Sequence, residues 1–194
     1  MQRSIDKELL AWKESARRVP LLIRGGRQVG KTFAIEKFGR KCFDNLVTIN
    51  FERERKFCPL FDDSLKPETI LRGIQTLTKD PIIAGKTLLF FDEIQACPRA
   101  VMSLRYFKEE LAELHVIGAG SLLEFTLKGE DFSFPVGRVE FRYMFPLSFK
   151  EFLQATDDSN LVNALEQVTI DNSFSMDGLL QLRYLLQAFA LASS

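Results

Sequence analysis

Residues 25–32 combine three glycines, a lysine and a threonine at a spacing that suits the binding of a triphosphate. The segment reads Gly-Gly-Arg-Gln-Val-Gly-Lys-Thr and fits the pattern G-x-x-x-x-G-K-[ST]. Its glycines let the backbone turn tightly and bring N–H groups close to phosphate oxygens. An apolar run precedes the segment and a helical pattern follows it, so the positive end of a helix adds to the same point. We therefore predict a phosphate-binding loop, and not an ordinary glycine-rich turn, with these cofactor-binding residues: Gly25, Gly26, Arg27, Gln28, Val29, Gly30, Lys31, Thr32 and Phe33.

Two adjacent carboxylates, Asp92 and Glu93, follow the apolar run 87–91, and Asp92 lies 61 residues after Lys31. A short continuous apolar run is typical of a strand buried on both faces of a parallel sheet. Open sheets of this kind bind ligands at the carboxyl ends of their strands. At that edge Asp92 is suited to hold a magnesium ion through its water shell, and Glu93 is suited to polarise an attacking water. The alternative, a loop that merely starts with two acids, is weakened by the phosphate-binding pattern upstream.

The composition limits the classes of function. The chain has 194 residues, a formal net charge of zero and a pI near 6.6, which gives no overall attraction to nucleic acid. Basic clusters near the start and around the loop are interspersed with acids, as on a solvated helix face. No run of 18 apolar residues and no signal pattern is present, so we expect a soluble, cytoplasmic protein without a membrane partner.

Cysteine and histidine usage excludes several chemistries. The cysteines Cys42, Cys58 and Cys97 are odd in number and far apart in sequence, so we expect reduced thiols and no cysteine metal pair. His115 is the only histidine, and a packed or capping side chain is its expected role. Serine-hydrolase triads and histidine-zinc sites are therefore excluded.

Hydrophobic periodicity predicts strands that alternate with helices, which requires an α/β fold with a parallel sheet and right-handed crossovers. The helix after the loop is expected to run over 30–38, to bury Phe33 and to end at Gly39. Ser148 and Glu151 form a capping box that starts another helix. The other predicted elements are helices at 5–17, from Pro67 and from Pro98, and strands at 21–23, 46–51, 87–91, 116–120 and 139–145.

Five short segments together resemble the prokaryotic AAA-type P-loop ATPases. They are 24–32, 91–95, 119–121, 136–138 and 146–152, and the resemblance covers about 5–155. It implies a three-layer P-loop sheet of the additional-strand catalytic-glutamate type, with about five parallel strands and a short helical C-terminal appendage. In that fold the strand that ends before Ser121 is inserted between the loop strand and the Asp92 strand.

The resemblance also implies catalytic and metal-binding roles. The Lys31 ammonium would bridge the β and γ oxygens of ATP, while the Thr32 hydroxyl and Asp92 would bind magnesium. Glu93 would activate the attacking water.

Three further residues receive expected roles from the same resemblance. Ser121 would lie near the γ-phosphate as a sensor. Arg138 would either supply positive charge to the γ-phosphate of a neighbouring subunit or form a surface salt bridge. Gln95 would either orient the Glu93 region or cap the following turn.

Family members usually continue past the end of this chain, so we expect an ATPase domain over 1–155 and a helical segment over 156–194 that starts a truncated C-terminal region. The pattern at 179–191 is apolar on most faces of a helix, and such a helix needs burial. It would pack on the ATPase core, on a protein partner or on a missing C-terminal domain.

The first hypothesis for function is ATP binding and magnesium-dependent hydrolysis that drives a conformational switch. The alternative is a nucleotide-dependent protein-interaction module with little or no hydrolysis. A P-loop kinase is disfavoured because a kinase does not need a water-activating glutamate beside the metal-binding acid. The sequence leaves open the client, the choice between ATP and GTP, and the oligomeric state.

Overall fold

The computed structural model describes residues 3–121, 137–155, 180, 183–187, 189 and 190. Its residues divide into two compact units. One unit runs from Leu9 to Met144, and the other joins the start of the chain, up to Glu8, to the segment from Phe145 onward.

The larger unit contains a sheet of five parallel strands, as the sequence predicts. The spatial order is β2-β3-β4-β1-β5. Strand β4 therefore lies between β1 and β3, which confirms the additional strand that the resemblance implied. The strands are β1 (Leu21–Arg24), β2 (Asn45–Asn50), β3 (Thr87–Asp92), β4 (His115–Gly120) and β5 (Glu140–Tyr143).

Helices cover both faces of this sheet. Proline opens α3 and α4, where its missing N–H costs no helical hydrogen bond. Side chains of α3 and α4 pack with Val47 and Leu89 in the main apolar cluster. On the opposite face α2 contacts Leu46 and Leu88. Over both units together, the described helices are α1 (Ser4–Glu14), α2 (Lys31–Cys42), α3 (Pro67–Thr78), α4 (Pro98–Glu110) and, in the smaller unit, α5 (Phe149–Ala155), with 3₁₀ segments at Arg55–Phe61 and Ile94–Ala96.

Two predictions for α2 are wrong. Gly39 does not end the helix, which continues to Cys42. A Cβ at Gly39 would lie 2.8 Å from Leu46 Cδ1 and 3.1 Å from Leu88 Cδ2, so the missing side chain lets the helix approach the sheet closely. Phe33 is 73% exposed because it lies on the side of α2 that faces away from the sheet.

The smaller unit contains the predicted capping box at the start of α5. Glu151 accepts a hydrogen bond from the Ser148 amide at 2.9 Å, and its own amide donates to Ser148 Oγ at 3.2 Å. Glu151 also accepts from the Ser4 amide at 2.8 Å and pairs with Arg3 at 3.2 Å. Burial alone raises the pKa of Glu151, but the amides of Ser148 and Ser4 and the Arg3 charge bring it down to about 2.

The predicted apolar helix at 179–191 is described only in part, and 156–179 lies outside the described residues. Leu185 packs against the buried Leu153 of α5. Leu180 and Tyr184 are exposed.

Candidate active site at the carboxyl edge of the sheet

The phosphate-binding loop leaves the carboxyl end of β1 and enters α2. Gly30 precedes the helix with a φ of 90°, a conformation that glycine adopts without strain. A Cβ at Gly25 would lie 2.1 Å from the Met144 carbonyl oxygen, so no other residue fits there. The Met144 amide donates to the Arg24 carbonyl at 2.7 Å. The residue after β5 therefore holds the start of the loop in place.

Lys31 is buried at the base of the loop, with 6% of its surface exposed. Its Nζ donates to the carbonyl oxygens of Gly25 at 2.9 Å and Gly26 at 2.6 Å. Burial lowers the pKa of Lys31, and the negative charges of Glu93 and Asp92 act against that effect. The ammonium thus lies within electrostatic reach of both acids that follow β3.

Thr32 and Asp92 lie in contact. Thr32 Oγ1 is 3.2 Å from each carboxylate oxygen of Asp92, and only 4% of Asp92 is exposed. Burial raises the pKa of Asp92, while hydrogen bonds from Asn50 and Thr32 favour its ionised form. A hydroxyl and a carboxylate are oxygen ligands of the kind that Mg²⁺ prefers.

These oxygens alone are too few for a complete magnesium shell. The described part of the chain has no group of three or more His, Cys, Asp or Glu side chains placed to hold a metal. Magnesium sites in nucleotide enzymes typically use one or two carboxylates and complete the shell with phosphate oxygens and water. The donor set of Thr32 and Asp92 fits that arrangement.

Asn50 is a site residue that the sequence did not reveal. Its Nδ2 donates to Asp92 Oδ2 at 2.8 Å, and its Oδ1 accepts from the Arg53 amide at 3.0 Å. Asn50 pairs with Asp92 in the β2–β3 register, which brings the two side chains together. The only sequence signal was a polar residue near the end of a predicted strand, and it has meaning only once β2 is known to lie beside β3.

Glu93 follows β3 directly and adopts a left-handed backbone conformation, with φ 47° and ψ 46°. This conformation is uncommon for a residue with a side chain and is often found at functional sites. Glu93 Oε2 accepts a hydrogen bond from Gln95 Nε2 at 2.6 Å. Of the two roles predicted for Gln95, this contact favours the orientation of Glu93.

Ser121 follows β4 at the same edge of the sheet as the loop, because Gly120 pairs with Arg24. Its Oγ is buried and has no hydrogen-bond partner among the described residues.

Arg138 lies at the opposite edge. It precedes β5, whose first residue, Glu140, pairs with Leu21 at the start of β1. Its Nε is 3.0 Å from Glu109 Oε1, so the salt bridge named as one alternative is present. The structure does not bring Arg138 to the loop of its own chain, and a role at a neighbouring subunit stays a prediction.

A parallel sheet with an inserted strand, a glycine-rich loop between β1 and α2, and acids after β3 define the class of P-loop nucleotide-binding domains. A family model described as an AAA domain matches residues 17–153, which is most of the chain. The chain belongs to this AAA-domain family. Membership indicates nucleotide binding and suggests ATPase activity.

Solved structures with a similar fold include proteins from three organisms. Drosophila ORC bound to DNA is 14% identical with a TM-score of 0.53, and the match covers 83% of this chain and 48% of that one. RuvB from Thermotoga maritima is 18% identical with a TM-score of 0.49 and coverages of 82% and 52%. PCH-2 from C. elegans is 14% identical with a TM-score of 0.45 and coverages of 89% and 50%.

The chain therefore spans about half the length of these similar proteins. At such identities the likeness extends to the fold alone. Among curated proteins, none is similar enough to this chain to count as a match. Within the described residues, no helix has both the length and the apolar character needed to cross a membrane.

Proposed function

We propose that the chain binds ATP together with a magnesium ion, hydrolyses the bond between the β and γ phosphates, and uses the turnover to switch its conformation. The observation that carries this proposal is the contact of Thr32 with Asp92, with the Lys31 ammonium close by. Family membership supports the same reaction class. Phosphoryl transfer of this kind depends mostly on positioning and electrostatics, which such a cluster supplies.

The loop and Lys31 would bind the phosphates. Backbone N–H groups between Gly25 and Gly30 and the first turn of α2 provide donors for the β and γ oxygens. Two carbonyl oxygens of the loop accept hydrogen bonds from the Lys31 ammonium at its base, and this ammonium would interact with the same phosphates. A magnesium ion bound by Thr32 and Asp92 would neutralise charge on the phosphates.

Glu93 would act as the general base. Its carboxylate accepts the proton of a water molecule that attacks the γ phosphorus, and Gln95 holds that carboxylate in position. The unpartnered Ser121 hydroxyl, at the end of the inserted strand, would bind the γ-phosphate. Loss of that contact after hydrolysis would provide the conformational signal.

The substitution Glu93→Gln tests the assignment of the base. It keeps the size and hydrogen-bonding capacity of the side chain but cannot take up a proton. We expect ATP affinity within about threefold of the wild type and phosphate release slower by about 10²- to 10⁴-fold. Equilibrium titration with ATP and a phosphate-release assay measure the two quantities.

Glu52→Gln is the matched control because Glu52 follows β2 near the same edge of the sheet but is exposed. We expect it to leave both quantities unchanged. Equal phosphate release by the Glu93→Gln variant and the wild type would remove Glu93 from the mechanism.

The alternative is a nucleotide-dependent interaction module with little hydrolysis, and the position of Arg138 favours it. This arginine lies at the far edge of the sheet and does not add positive charge to the phosphates within its own chain. Tight ATP binding by the wild type with phosphate release no faster than the spontaneous hydrolysis of ATP would establish this module instead, whereas fast release by both the wild type and Glu93→Gln would speak only against Glu93 as the base.

A further inference from the structure

Two cysteines that are 39 positions apart in sequence, Cys58 and Cys97, are brought to the same part of the larger unit. Cys58 lies in the 3₁₀ segment Arg55–Phe61, and Cys97 lies directly before α4. Arg99, in the first turn of α4, joins the two elements. Its Nε donates to the Phe61 carbonyl at 2.7 Å, and its guanidinium also donates to the Asp62 carbonyl at 2.9 Å.

The 3₁₀ geometry directs Cys58 toward the interior. Residues i and i+3 of a 3₁₀ helix lie on the same side, so Cys58 shares a side with Phe61, which is fully buried. Cys58 packs against the apolar cluster that contains both Phe61 and Cys97. Cys97 is 4% exposed, whereas Cys58 is only partly buried.

The electrostatics of Cys97 also identify Cys58 as its neighbour. The pKa of Cys97 is raised to about 12, mainly by burial, while the amide of Ala100 acts in the opposite direction. The neighbouring Cys58 thiol contributes to this increase. Cys97 therefore stays protonated, and Cys58 is the more accessible sulfur of the pair.

We propose that Cys58 and Cys97 form a reversible intramolecular disulfide when the protein meets a peroxide. The Cys58 thiol gives up its proton and its sulfur attacks one oxygen of hydrogen peroxide; the O–O bond breaks, the departing hydroxide takes up that proton, and a sulfenic acid and one water result. The Cys97 sulfur then attacks the Cys58 sulfur, the S–O bond breaks, and a second water leaves with the Cys97 proton. Two thiols and one peroxide thus give one disulfide and two waters.

This disulfide would staple the turn that follows Glu93 to the 3₁₀ segment. The Cys97 amide donates to the Ile94 carbonyl at 3.0 Å, so Cys97 closes the turn that starts after Glu93. A cross-link between residues this far apart in sequence restricts the unfolded chain and stabilises the folded one.

Peptide mapping of the wild-type protein tests the proposal. The reduced protein is treated with an equimolar amount of hydrogen peroxide, its remaining thiols are alkylated, and its peptides are analysed by mass spectrometry. We expect a peptide pair linked through Cys58 and Cys97, with Cys42 alkylated. We also expect the peroxide treatment to raise the melting temperature by roughly 5 to 10 °C, and dithiothreitol to bring it back to the value of the reduced protein.

Cys42→Ser is the matched control because Cys42 ends α2, in a different part of the fold. This variant should keep the linked peptide and the thermal shift, and Cys58→Ser should lose both. Separate alkylation or overoxidation of Cys58 and Cys97 in the wild type, or a link through Cys42, would overturn the proposal. A linked pair without a rise in melting temperature would contradict the stapling.

Discussion

The two edges of the central sheet both contain buried polar groups, but the groups are held in different ways. At the amino edge His115 begins β4 and is packed edge-on against two rings, Trp12 at 5.7 Å and Phe43 at 4.7 Å between centroids. At the carboxyl edge Asp92 is surrounded by hydrogen-bond donors from β2 and α2. The aromatic setting favours the neutral form of the imidazole, whereas the hydrogen-bond donors around Asp92 act against the effect of burial on its carboxylate.

The pKa shifts at the two edges express this difference. Burial and, to a smaller extent, the charges of Arg18 and Lys13 lower the pKa of His115 to about 4. Burial also disfavours the charged form of Asp92, but there the hydrogen bonds from Asn50 and Thr32 act in the opposite direction. Burial of a titratable group therefore does not by itself mark a site, whereas the convergence of donors from several elements does.

The two asparagines of β2 test this contrast most strongly, because Asn50 and Asn45 lie at opposite ends of one strand. Asn50→Ala removes the donor that orients Asp92, and side chains that orient a metal ligand typically change metal affinity by about 10- to 100-fold. We expect the Mg²⁺ concentration for half-maximal ATP turnover to rise by roughly tenfold or more. A titration of turnover with Mg²⁺ measures it.

Asn45→Ala is the control for that experiment, because Asn45 donates to the Pro81 carbonyl at the amino edge. It should leave the Mg²⁺ dependence unchanged. If Asn50→Ala and Asn45→Ala required the same Mg²⁺ concentration for half-maximal turnover, the proposal that Asn50 positions Asp92 would be wrong.

Acid stability tests the amino edge. The folded pKa of His115 is about 4 and its ordinary value is 6.5, so the unfolded chain takes up the proton first. The stability that neutral His115 contributes is complete above pH 6.5 and is lost as the pH falls toward 4. We expect the melting temperature to drop by several degrees less between pH 7 and pH 4.5 in His115→Phe than in the wild type.

Trp12 fluorescence can follow this unfolding, since Trp12 is the only tryptophan and contacts His115. Glu151 contributes its own stability only above its folded pKa of about 2, and that stability starts to decline only below about pH 4.5. Glu151 therefore does not contribute to the pH dependence between pH 4.5 and 6.5, and in this window the difference between the wild type and His115→Phe reports on His115. If the melting temperatures of the wild type and His115→Phe fell equally with pH in this window, the claim that His115 is held neutral by its packing would be contradicted.

The smallest effect is expected for Arg138, whose partner Glu109 is a surface residue. Exposed ion pairs contribute little to stability, so Arg138→Ala should change the melting temperature by less than about 2 °C. If Arg138→Ala did not change ATP turnover, the surface salt bridge would be the only role left for Arg138. A loss of about 10³-fold or more would support the alternative role at a neighbouring subunit.

Features that depend on local sequence were predictable. The loop, the strand before Asp92 and the capping box of Ser148 and Glu151 each depend on residues close together in the chain. The position of β4 came from the resemblance, because spacing within one chain does not give the order of strands in a sheet.

Features that depend on tertiary contacts could not be predicted. Asn50 meets Asp92, and Cys58 and Cys97 join one apolar cluster, only after the strands and helices are assembled. Gly39 resembles a helix end in sequence, but its role is close packing against β2 and β3.

The most direct test of the central claim is a crystal structure with Mg²⁺ and a non-hydrolysable ATP analogue. The claim is that Lys31, Thr32, Asp92 and Glu93 surround one magnesium-bound triphosphate. We predict that the Lys31 ammonium contacts the β and γ oxygens, that Thr32 and Asp92 hold the metal, and that Glu93 faces the γ phosphorus. An analogue bound elsewhere, or a metal that contacts neither Thr32 nor Asp92, would contradict the account.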